Sequence, residues 1–351
     1  MPELRKDPII GRWVIISSER AKRPSSFKAI SERHAAHLCP FCPGQEDNTP
    51  PEIIAYRSQE SEPNQPGWRL RVISNKYPAL VVEGTLNREP KGLYDRMHGV
   101  GAHEVIIETP EHDVDIVDMK DENVKDILWA YRERMLDLER DSRLKYILIF
   151  KNHGEAAGAS LEHSHSQLIA TPIIPKRVSE ELDGSKRYFE FKERCIYCDI
   201  IRQEIADDER IVKDFDSFIT VQPFAPRFPF ETWIVPKSHQ SSYLEMSDSD
   251  YLVLAKCLKD TLTRLKMALN DPPFNFMIHT RPVSRESHEY YHWHIEIIPK
   301  LTKVAGFEWG SGFYINPTAP EEAAEYLKNL DVSEYRSNTE DNRIDTAEGR
   351  E

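Results

Sequence analysis

The segment best suited to catalysis carries two histidines and a glutamine at alternate positions, His163-Ser164-His165-Ser166-Gln167. The apolar stretch that follows, 168–175, predicts a β-strand. Side chains of a strand alternate between its faces, so His163, His165 and Gln167 would share one face if the strand includes the motif. This arrangement suits a nucleophilic histidine beside a hydrogen-bond donor. A strand carrying two solvated histidines is the alternative.

Four of the five cysteines form two C-x-x-C pairs, which in a cytosolic chain indicate metal or redox chemistry rather than structural disulfides. Zinc prefers four cysteine or histidine ligands in a tetrahedron. A lone histidine and then a paired histidine follow each C-x-x-C pair. The resulting ligand sets are Cys39, Cys42, His112 and His163 for the first site, and Cys195, Cys198, His239 and His292 for the second. Two complete sets in the same order predict two structural zinc sites.

A redox-active pair is the alternative for Cys39-Pro40-Phe41-Cys42, because glutaredoxin-like sites use the same pattern. Such sites place the first cysteine at a helix N-terminus, which lowers its pKa. Pro43-Gly44 follows directly and favours a turn instead. Four protein ligands also close the coordination shell, so the predicted zinc ions would not activate water. The identity of the second metal is left open.

The two ligand sets belong to similar passages, which indicates a duplicated unit. The lone histidine precedes the paired histidine by 51 residues in the first passage and by 53 in the second. Each passage contains a segment of helical periodicity, roughly 120–141 and 248–269. Strands occur in runs rather than in strict alternation with helices, so each unit is predicted to be an antiparallel sheet with a helix packed on one side, an α+β fold. The predicted strands include 105–108, 146–150, 232–236 and 274–279.

Domain boundaries follow from this repeat. Residues 1–176 would form the first unit, with the nucleophile and the first zinc site, and residues 190–330 the second unit, with the second zinc site. The polar segment near 177–194 separates them. The last residues, 331–351, contain few apolar side chains and are predicted to be a disordered tail. A capping-box pattern with proline in the first turn, at 318–321, predicts a last helix that ends near residue 330.

The acidic composition limits the possible partners. With 46 Lys+Arg against 59 Asp+Glu, the 351-residue chain has a formal net charge of −13. This charge argues against a nucleic-acid groove, because phosphate neutralisation drives such binding. No apolar run is long enough to span a bilayer, and residues 1–7 lack the apolar core of a signal peptide. We therefore expect a cytoplasmic protein without a nucleic-acid or membrane partner.

Several segments together resemble one known family. They are Arg20-Ala21-Lys22-Arg23-Pro24, Cys39-Pro40-Phe41-Cys42, Ser74-Asn75-Lys76-Tyr77-Pro78-Ala79-Leu80, Phe150-Lys151-Asn152, Gly158-Ala159-Ser160, the His163 to Gln167 motif and Pro229-Phe230-Glu231-Thr232. To about residue 330, the chain is similar to the galactose-1-phosphate uridylyltransferase family, the double-domain branch of the histidine-triad superfamily. The resemblance implies two tandem histidine-triad-like units and a homodimer whose active site borrows residues from the partner subunit. It also implies a nucleotide sugar and a sugar 1-phosphate as ligands.

The resemblance further implies roles for individual residues. His165 would be the nucleophile and Gln167 the donor to a phosphoryl oxygen, with further donors near Ser160. Zinc bound to His163 would fix the strand that carries His165. The implied nucleotide-binding positions are Arg20, Arg23, Phe41, Asn75, Asn152, Ser160 and Gln167.

The expected activity is the exchange of UMP between UDP-glucose and galactose 1-phosphate through a nucleotidyl-histidine. Three positions depart from the family pattern. Ser164 stands where many members have proline, Lys76 stands where the residue is often acidic, and segment 306–317 lacks the Tyr-Glu pair that reads the hexose hydroxyls in bacterial members. In this respect the chain resembles a plant branch that acts as an ADP-glucose phosphorylase, with phosphate as the acceptor. A non-catalytic zinc-stabilised binding module and a metal-dependent hydrolase are the alternatives from other classes.

The second passage has His294 at the position of His165 but Glu296 at the position of Gln167. A carboxylate there would repel phosphate instead of donating to it. We therefore predict a degenerate site that keeps its metal and its fold. The alternative is that Glu296 contacts the second metal, since carboxylates also serve as zinc ligands.

Overall fold

The computed structural model describes residues 3–16, 39–284, 288–333 and 335. The strands within these ranges are β1 (Glu3–Lys6), β2 (Trp13–Ile16), β3 (Glu52–Arg57), β4 (Trp68–Ser74), β5 (Glu89–Lys91), β6 (Tyr94–Arg96), β7 (Ala102–Ile107), β8 (Tyr146–His153), β9 (His165–Thr171), β10 (Ile211–Asp214), β11 (Phe218–Val221), β12 (Thr232–Pro236), β13 (Phe274–His279), β14 (His294–Pro299) and β15 (Tyr314–Asn316). The helices are α1 (Asp121–Leu138), α2 (Lys176–Lys192), α3 (Ile196–Asp207), α4 (Asp250–Leu269), α5 (Gly306–Ser311) and α6 (Pro320–Lys328).

A ten-stranded sheet forms the frame of the described part of the chain, in the order β10-β11-β12-β14-β13-β8-β9-β7-β4-β3. Every neighbouring pair in it is antiparallel. The series β3, β4, β7, β9, β8 is repeated by β10, β11, β12, β14, β13, which agrees with the internal repeat. The predicted α+β class with antiparallel sheets and packed helices is confirmed. The two predicted sheets are continuous, because β8 pairs with β13 from Ile149 opposite Ile278 to His153 opposite Phe274.

Helices α1 and α4 pack side by side on one face of this sheet. They match the predicted helices 120–141 and 248–269: α1 begins one residue later and ends three residues earlier than predicted, and α4 begins two residues later and ends at the predicted residue. The apolar side chains of α1 at helical spacing are all buried, together with Cys257 of α4. Burying such a stripe against a sheet is the main source of stability for an amphipathic helix. The buried α1 side chains that the periodicity singles out are Val124, Ile127, Leu128, Tyr131 and Met135.

The polar segment near 177–194 is largely the helix α2, which packs on the other face of the sheet. Its apolar residues Val178 and Leu182 are buried against Tyr146 and Tyr291, while the charged residues mostly face outward. Gly184 of α2 lies so close to the N-terminal turn at residues 7–12 that an added Cβ would stand 1.8 Å from a backbone carbonyl of that turn. The absence of a side chain at this position therefore allows the turn to dock.

The first and last described segments also pack onto the sheet and its helices. Strand β2 pairs with β1 and, in parallel, with β15, so residues 13–16 of the predicted unit 1–176 lie beside the predicted unit 190–330. Helix α6 begins after Ala319 without a side-chain cap, so Thr318 does not form the predicted capping box. Val332 is buried and the Tyr335 hydroxyl donates to Asp118 at 2.9 Å. Residue 334 and residues 336–351 of the predicted tail lie outside the described residues.

None of the helices in the described ranges has the length and the apolar character needed to cross a membrane.

Candidate active site

Strand β9 begins at His165, so the predicted alternation applies to His165 and Gln167, whereas His163 precedes the strand. Both strand residues face the same side of the sheet, where His165 lies opposite Ile107 and Gln167 opposite Val105 of β7. The Phe41 ring covers the histidine pair, with its centroid 5.3 Å from that of His165 and 6.1 Å from that of His163. The helices α1 and α4 occupy the opposite face. The solvated-strand alternative is therefore excluded, because both rings are buried.

The hydrogen bonding of His165 determines its tautomer. Its Nδ1 lies 2.8 Å from the backbone carbonyl oxygen of His163. A carbonyl oxygen can only accept, so Nδ1 carries the proton and Nε2 keeps a free lone pair in the neutral ring. Burial lowers the pKa of His165, which favours this neutral form. The geometry therefore presents Nε2 as a nucleophile.

A buried polar network supports the main chain of His165 from the helix side. The Lys151 ammonium donates to Glu108 at 2.6 Å, to the Ser164 hydroxyl at 2.9 Å and to the His165 carbonyl at 3.1 Å. The Ser164 hydroxyl donates to Glu108 at 2.7 Å. The Ser164 hydroxyl, at a position expected to depart from the family pattern, thus both accepts and donates a hydrogen bond. Sequence reasoning missed Lys151 and Glu108, although a lysine at the end of an apolar strand was a signal for a buried ion pair.

Gln167 and Asn75 meet at a histidine that sequence reasoning also missed. The Nε2 atom of His103 lies 2.9 Å from Gln167 Oε1 and 3.1 Å from Asn75 Nδ2. The backbone N–H of Ala79 donates to His103 Nδ1 at 3.1 Å, and that of Tyr77 donates to Asn75 Oδ1 at 2.9 Å. Two residues predicted from the sequence, one as phosphoryl donor and one as nucleotide-binding, are thus brought together by His103.

Asn152 lies on the same face, two positions along β8 from Phe150, which pairs with Gln167. Its Oδ1 accepts a hydrogen bond of 2.8 Å from Asn275 of β13, so the second unit positions this residue. Ser160 follows the short 3-10 turn 155–157 and is exposed, so its side chain is open to solvent. The predicted nucleotide-binding residues Arg20 and Arg23 lie outside the described residues.

The first ligand set forms a compact cluster. The Cys42 sulfur lies 3.4 Å from His112 Nδ1 and 3.6 Å from His163 Nδ1, and the Cys39 sulfur lies 3.7 Å from His163 Nδ1. Ordinary zinc bond lengths predict about 3.6 Å for the S–N edge of a tetrahedron. His163 Nε2 donates to the Thr109 carbonyl at 2.7 Å, which leaves Nδ1 free to bind a metal. The four side chains therefore fit a zinc ion.

The second ligand set repeats this geometry. The Cys198 sulfur lies 3.4 Å from His239 Nδ1 and 3.7 Å from His292 Nδ1, and the Cys195 sulfur lies 4.0 Å from His292 Nδ1. His292 Nε2 donates to the Pro236 carbonyl at 2.9 Å, as His163 does in the first unit. These four residues also fit a tetrahedral metal site, and the acid Glu296 is not among them.

The counterpart of the nucleophile in the second unit is enclosed. The ring of His294 stacks on His279 at 4.8 Å and contacts Tyr197 and Trp233, each at 5.1 Å. The N-terminal turn 7–12 closes the small cavity beside it. His294 is 2% exposed and lies against these rings and this turn, which agrees with a degenerate site.

The buried carboxylates around this enclosed histidine are paired with arginine or histidine side chains. Glu296 pairs with Arg227 and lies 3.4 Å from Arg177. Burial raises the pKa of Glu296, but the two arginines outweigh it and hold this pKa well below its usual range. Glu181 lies 3.1 Å from His279, and these two residues and His294 place possible ligand atoms within 4.8 Å of one another. Sequence reasoning missed Glu181 and His279, which are far apart in the chain.

An antiparallel sheet that carries a buried histidine with a free Nε2 beside a Cys/His cluster, with a second unit of the same layout, is the tandem histidine-triad-like architecture that the resemblance implies. The sequence pattern "Galactose-1-phosphate uridyl transferase, N-terminal domain" matches residues 1–175, and that of the C-terminal domain matches residues 181–339. The chain therefore belongs to the galactose-1-phosphate uridylyltransferase family, as the resemblance implied.

Two enzymes and one crystal structure are similar to this chain over nearly its whole length. The chain is 41% identical to the ADP-glucose phosphorylase of Arabidopsis thaliana over 95% of its own length and 94% of the relative's. It is 31% identical to the galactose-1-phosphate uridylyltransferase of Thermotoga maritima over 95% and 99% of the two chains. A crystal structure of the Arabidopsis thaliana ADP-glucose phosphorylase with bound ADP-glucose is similar, with a TM-score of 0.80 and 40% identity over 94% of this chain and 100% of the other.

Proposed function

We propose that the chain is a nucleotide-sugar phosphorylase that transfers a nucleotidyl group through His165, with ADP-glucose as the donor and phosphate as the acceptor. The observation that carries the proposal is the tautomer of His165, whose Nδ1–H is bonded to the His163 carbonyl so that Nε2 is free to attack. The family assignment supports nucleotidyl transfer, and the similarity to an ADP-glucose phosphorylase supports the choice of substrates.

The reaction has two steps. His165 Nε2 attacks the α-phosphorus of ADP-glucose, an N–P bond forms, and the P–O bond to the departing glucose 1-phosphate breaks. Phosphate then attacks the adenylyl-histidine, the N–P bond breaks, and ADP leaves with the histidine restored. Gln167 and donors near Ser160 would hold the charge on the phosphoryl oxygens. Asn75, Asn152 and Phe41 would contact the nucleotide, together with Arg20 and Arg23.

A uridylyltransferase is the second candidate, because the chain is also 31% identical to the Thermotoga maritima enzyme of that name. In that case UDP-glucose would be the donor and galactose 1-phosphate the acceptor, with the same histidine chemistry. The two candidates differ only in the base and in the acceptor.

Trapping the intermediate tests the proposal. ADP-glucose and UDP-glucose, each labelled in the α-phosphate, are incubated with the protein without an acceptor. ADP-glucose is expected to label the protein, His165→Asn to abolish the label, and the exposed His98→Asn to keep it. Phosphate should discharge the label as ADP. Labelling by UDP-glucose alone, with discharge by galactose 1-phosphate, would favour the uridylyltransferase, and no label from either donor would refute nucleotidyl transfer.

Two further parts of the proposal concern assembly. Zinc in the two Cys/His clusters would be structural, since four protein ligands leave no open position. The chain is also proposed to form a homodimer, as the family resemblance implies. Sedimentation of the purified protein decides this point, because a monomer at assay concentration with full turnover would exclude a shared active site.

A further inference from the structure

We propose that His103 is a positioning residue that fixes the orientation of the Gln167 amide, so that its NH2 group faces the phosphoryl oxygens. This inference rests on the proposed function, because Gln167 has a donor role only if a phosphoryl group reacts at His165. His103 and Gln167 share one face of the sheet, since Gln167 lies opposite Val105 and His103 is two positions before Val105 on β7.

The neighbours of His103 determine which ring nitrogen carries its proton. The Ala79 backbone N–H donates to Nδ1 at 3.1 Å, so Nδ1 must be unprotonated. A neutral imidazole then carries its proton on Nε2. Two side chains lie near that proton, the Gln167 Oε1 at 2.9 Å and the Asn75 Nδ2 at 3.1 Å.

Only one of these two neighbours can accept the Nε2–H. The Tyr77 backbone N–H donates to Asn75 Oδ1 at 2.9 Å and so orients the Asn75 amide. The amide nitrogen of Asn75 then faces His103, and an amide NH2 group cannot accept a hydrogen bond. The Gln167 oxygen is therefore the acceptor. With its oxygen held by His103, the Gln167 amide must direct its nitrogen elsewhere.

This constraint matters because the two ends of a glutamine amide are nearly the same size. Rotation of the terminal torsion by half a turn exchanges oxygen and nitrogen at little steric cost. The flipped amide would point a carbonyl oxygen at the phosphoryl group and repel it. Gln167 is only half buried, so packing alone does not prevent the flip.

The degenerate site changes both members of the pair. Glu296 stands at the position of Gln167. Trp233 pairs with Glu296 as Val105 pairs with Gln167, so the residue two positions before Trp233, Glu231, stands at the position of His103. The Glu231 carboxylate accepts from the Arg227 backbone N–H at 2.8 Å, and Arg227 also pairs with Glu296. The unit without the amide thus also lacks the histidine, which fits a pair that acts together.

Single-turnover labelling tests the role. The rate of nucleotidyl-enzyme formation is measured for wild type, His103→Leu, His103→Gln, Gln167→Ala and the double variant. His103→Leu is expected to slow this step by about tenfold or more, within the roughly 10²-fold loss expected of Gln167→Ala. In the Gln167→Ala background it should add less than about twofold, because His103 acts through Gln167.

Two controls separate orientation from folding. His103→Gln places an amide N–H where the ring Nε2–H was and should react within about threefold of wild type. His98→Leu removes an exposed histidine that also contacts an amide, Asn87 at 3.3 Å, and should leave the rate unchanged. Equal rates for His103→Leu and wild type, or additive losses in the double variant, would overturn the proposal.

A measurement without turnover distinguishes this inference from the proposed function. Long-range ¹H–¹⁵N correlation spectra report the tautomer of each histidine, and the His103 signal is the one lost in His103→Gln. The Nε2–H tautomer is expected, whereas the Nδ1–H tautomer would overturn the inference even if the enzyme turns over. If neither nucleotide sugar labels the wild type, the proposed function fails, and the tautomer alone decides the orientation of the amide.

Discussion

Replacing His153 tests whether its ring is protonated between two carboxylates near the pairing of β8 with β13. Its ring nitrogens lie 3.6 Å from Asp115 and 3.6 Å from Asp271. Burial lowers the pKa of His153, but the two carboxylates outweigh it and raise this pKa from 6.5 to about 9. Two cations also face this cluster, since Lys151 opposes the protonation of His153 and Lys266 lies 3.8 Å from Asp271. The ring is therefore a cation at neutral pH.

The raised pKa sets the direction of the pH dependence. Because the folded-state pKa lies above the unfolded-state value, the protonated ring stabilises the fold fully below pH 6.5. The contribution is lost as the pH rises through about 9. The shift corresponds to about 3 kcal/mol of unfolding free energy. The side chain is 20% exposed, so screening by solvent makes this value an upper limit.

The assay is urea unfolding of wild type and His153→Gln across this pH range at constant zinc. Wild type is expected to lose more unfolding free energy than the variant between pH 6.5 and about 9, so the two stabilities converge at alkaline pH. His98→Gln is the control, because the His98 ring contacts an amide and a backbone carbonyl instead of carboxylates. Parallel pH profiles for wild type and His153→Gln would refute the assigned charge state.

Three more outcomes are expected. Elemental analysis should find about two zinc ions per chain. Cys39→Ser should lose one of them and Cys257→Ser neither, whereas equal zinc in all three proteins would contradict the ligand assignment. Gly184→Ala should lower the unfolding free energy by about 1–3 kcal/mol because its Cβ would collide with the N-terminal turn. Gly310→Ala, with nothing within 4 Å of the new Cβ, should be neutral or slightly stabilising, and equal effects would count against the docked turn. His294→Ala should keep most of the turnover, and its loss in a stably folded variant would indicate that the second site is catalytic.

Features that depend on local spacing could be predicted from the sequence. The strand predicted at 232–236 is β12, and the helical periodicity identified α1 and α4. Both Cys/His sets meet in space, as predicted. The prediction was possible because each set combines a C-x-x-C pair with two histidines, which are residue types that bind zinc. The ligands lie up to 124 positions apart, so the types of these residues and their repetition in the same order, and not short-range spacing, made the two clusters predictable.

Features that depend on contacts between distant segments could not be predicted. The pairing of β8 with β13 has no sequence signature. Side chains alternate between the two faces in the same way in an internal strand and in an edge strand, so the sequence does not reveal which strands are neighbours. His103 lies outside the strand predicted at 105–108, and only the positions of Ala79 and Gln167 give its ring a role. The Lys151–Glu108 pair was hidden for the same reason, since the two residues are 43 positions apart.

The pairing of β8 with β13 also affects how the chain reaches its native state. Separated halves would each end in an open strand with unpaired backbone groups, and such edges template aggregation. In the duplicated chain, β8 and β13 pair with each other, so neither strand is left as an open edge. The contact between Asn152 and Asn275 joins residues 123 positions apart, so this shield can close only after a long loop has formed. During synthesis, the edge of β8 therefore stays exposed until β13 emerges, and an exposed edge of this kind favours aggregation.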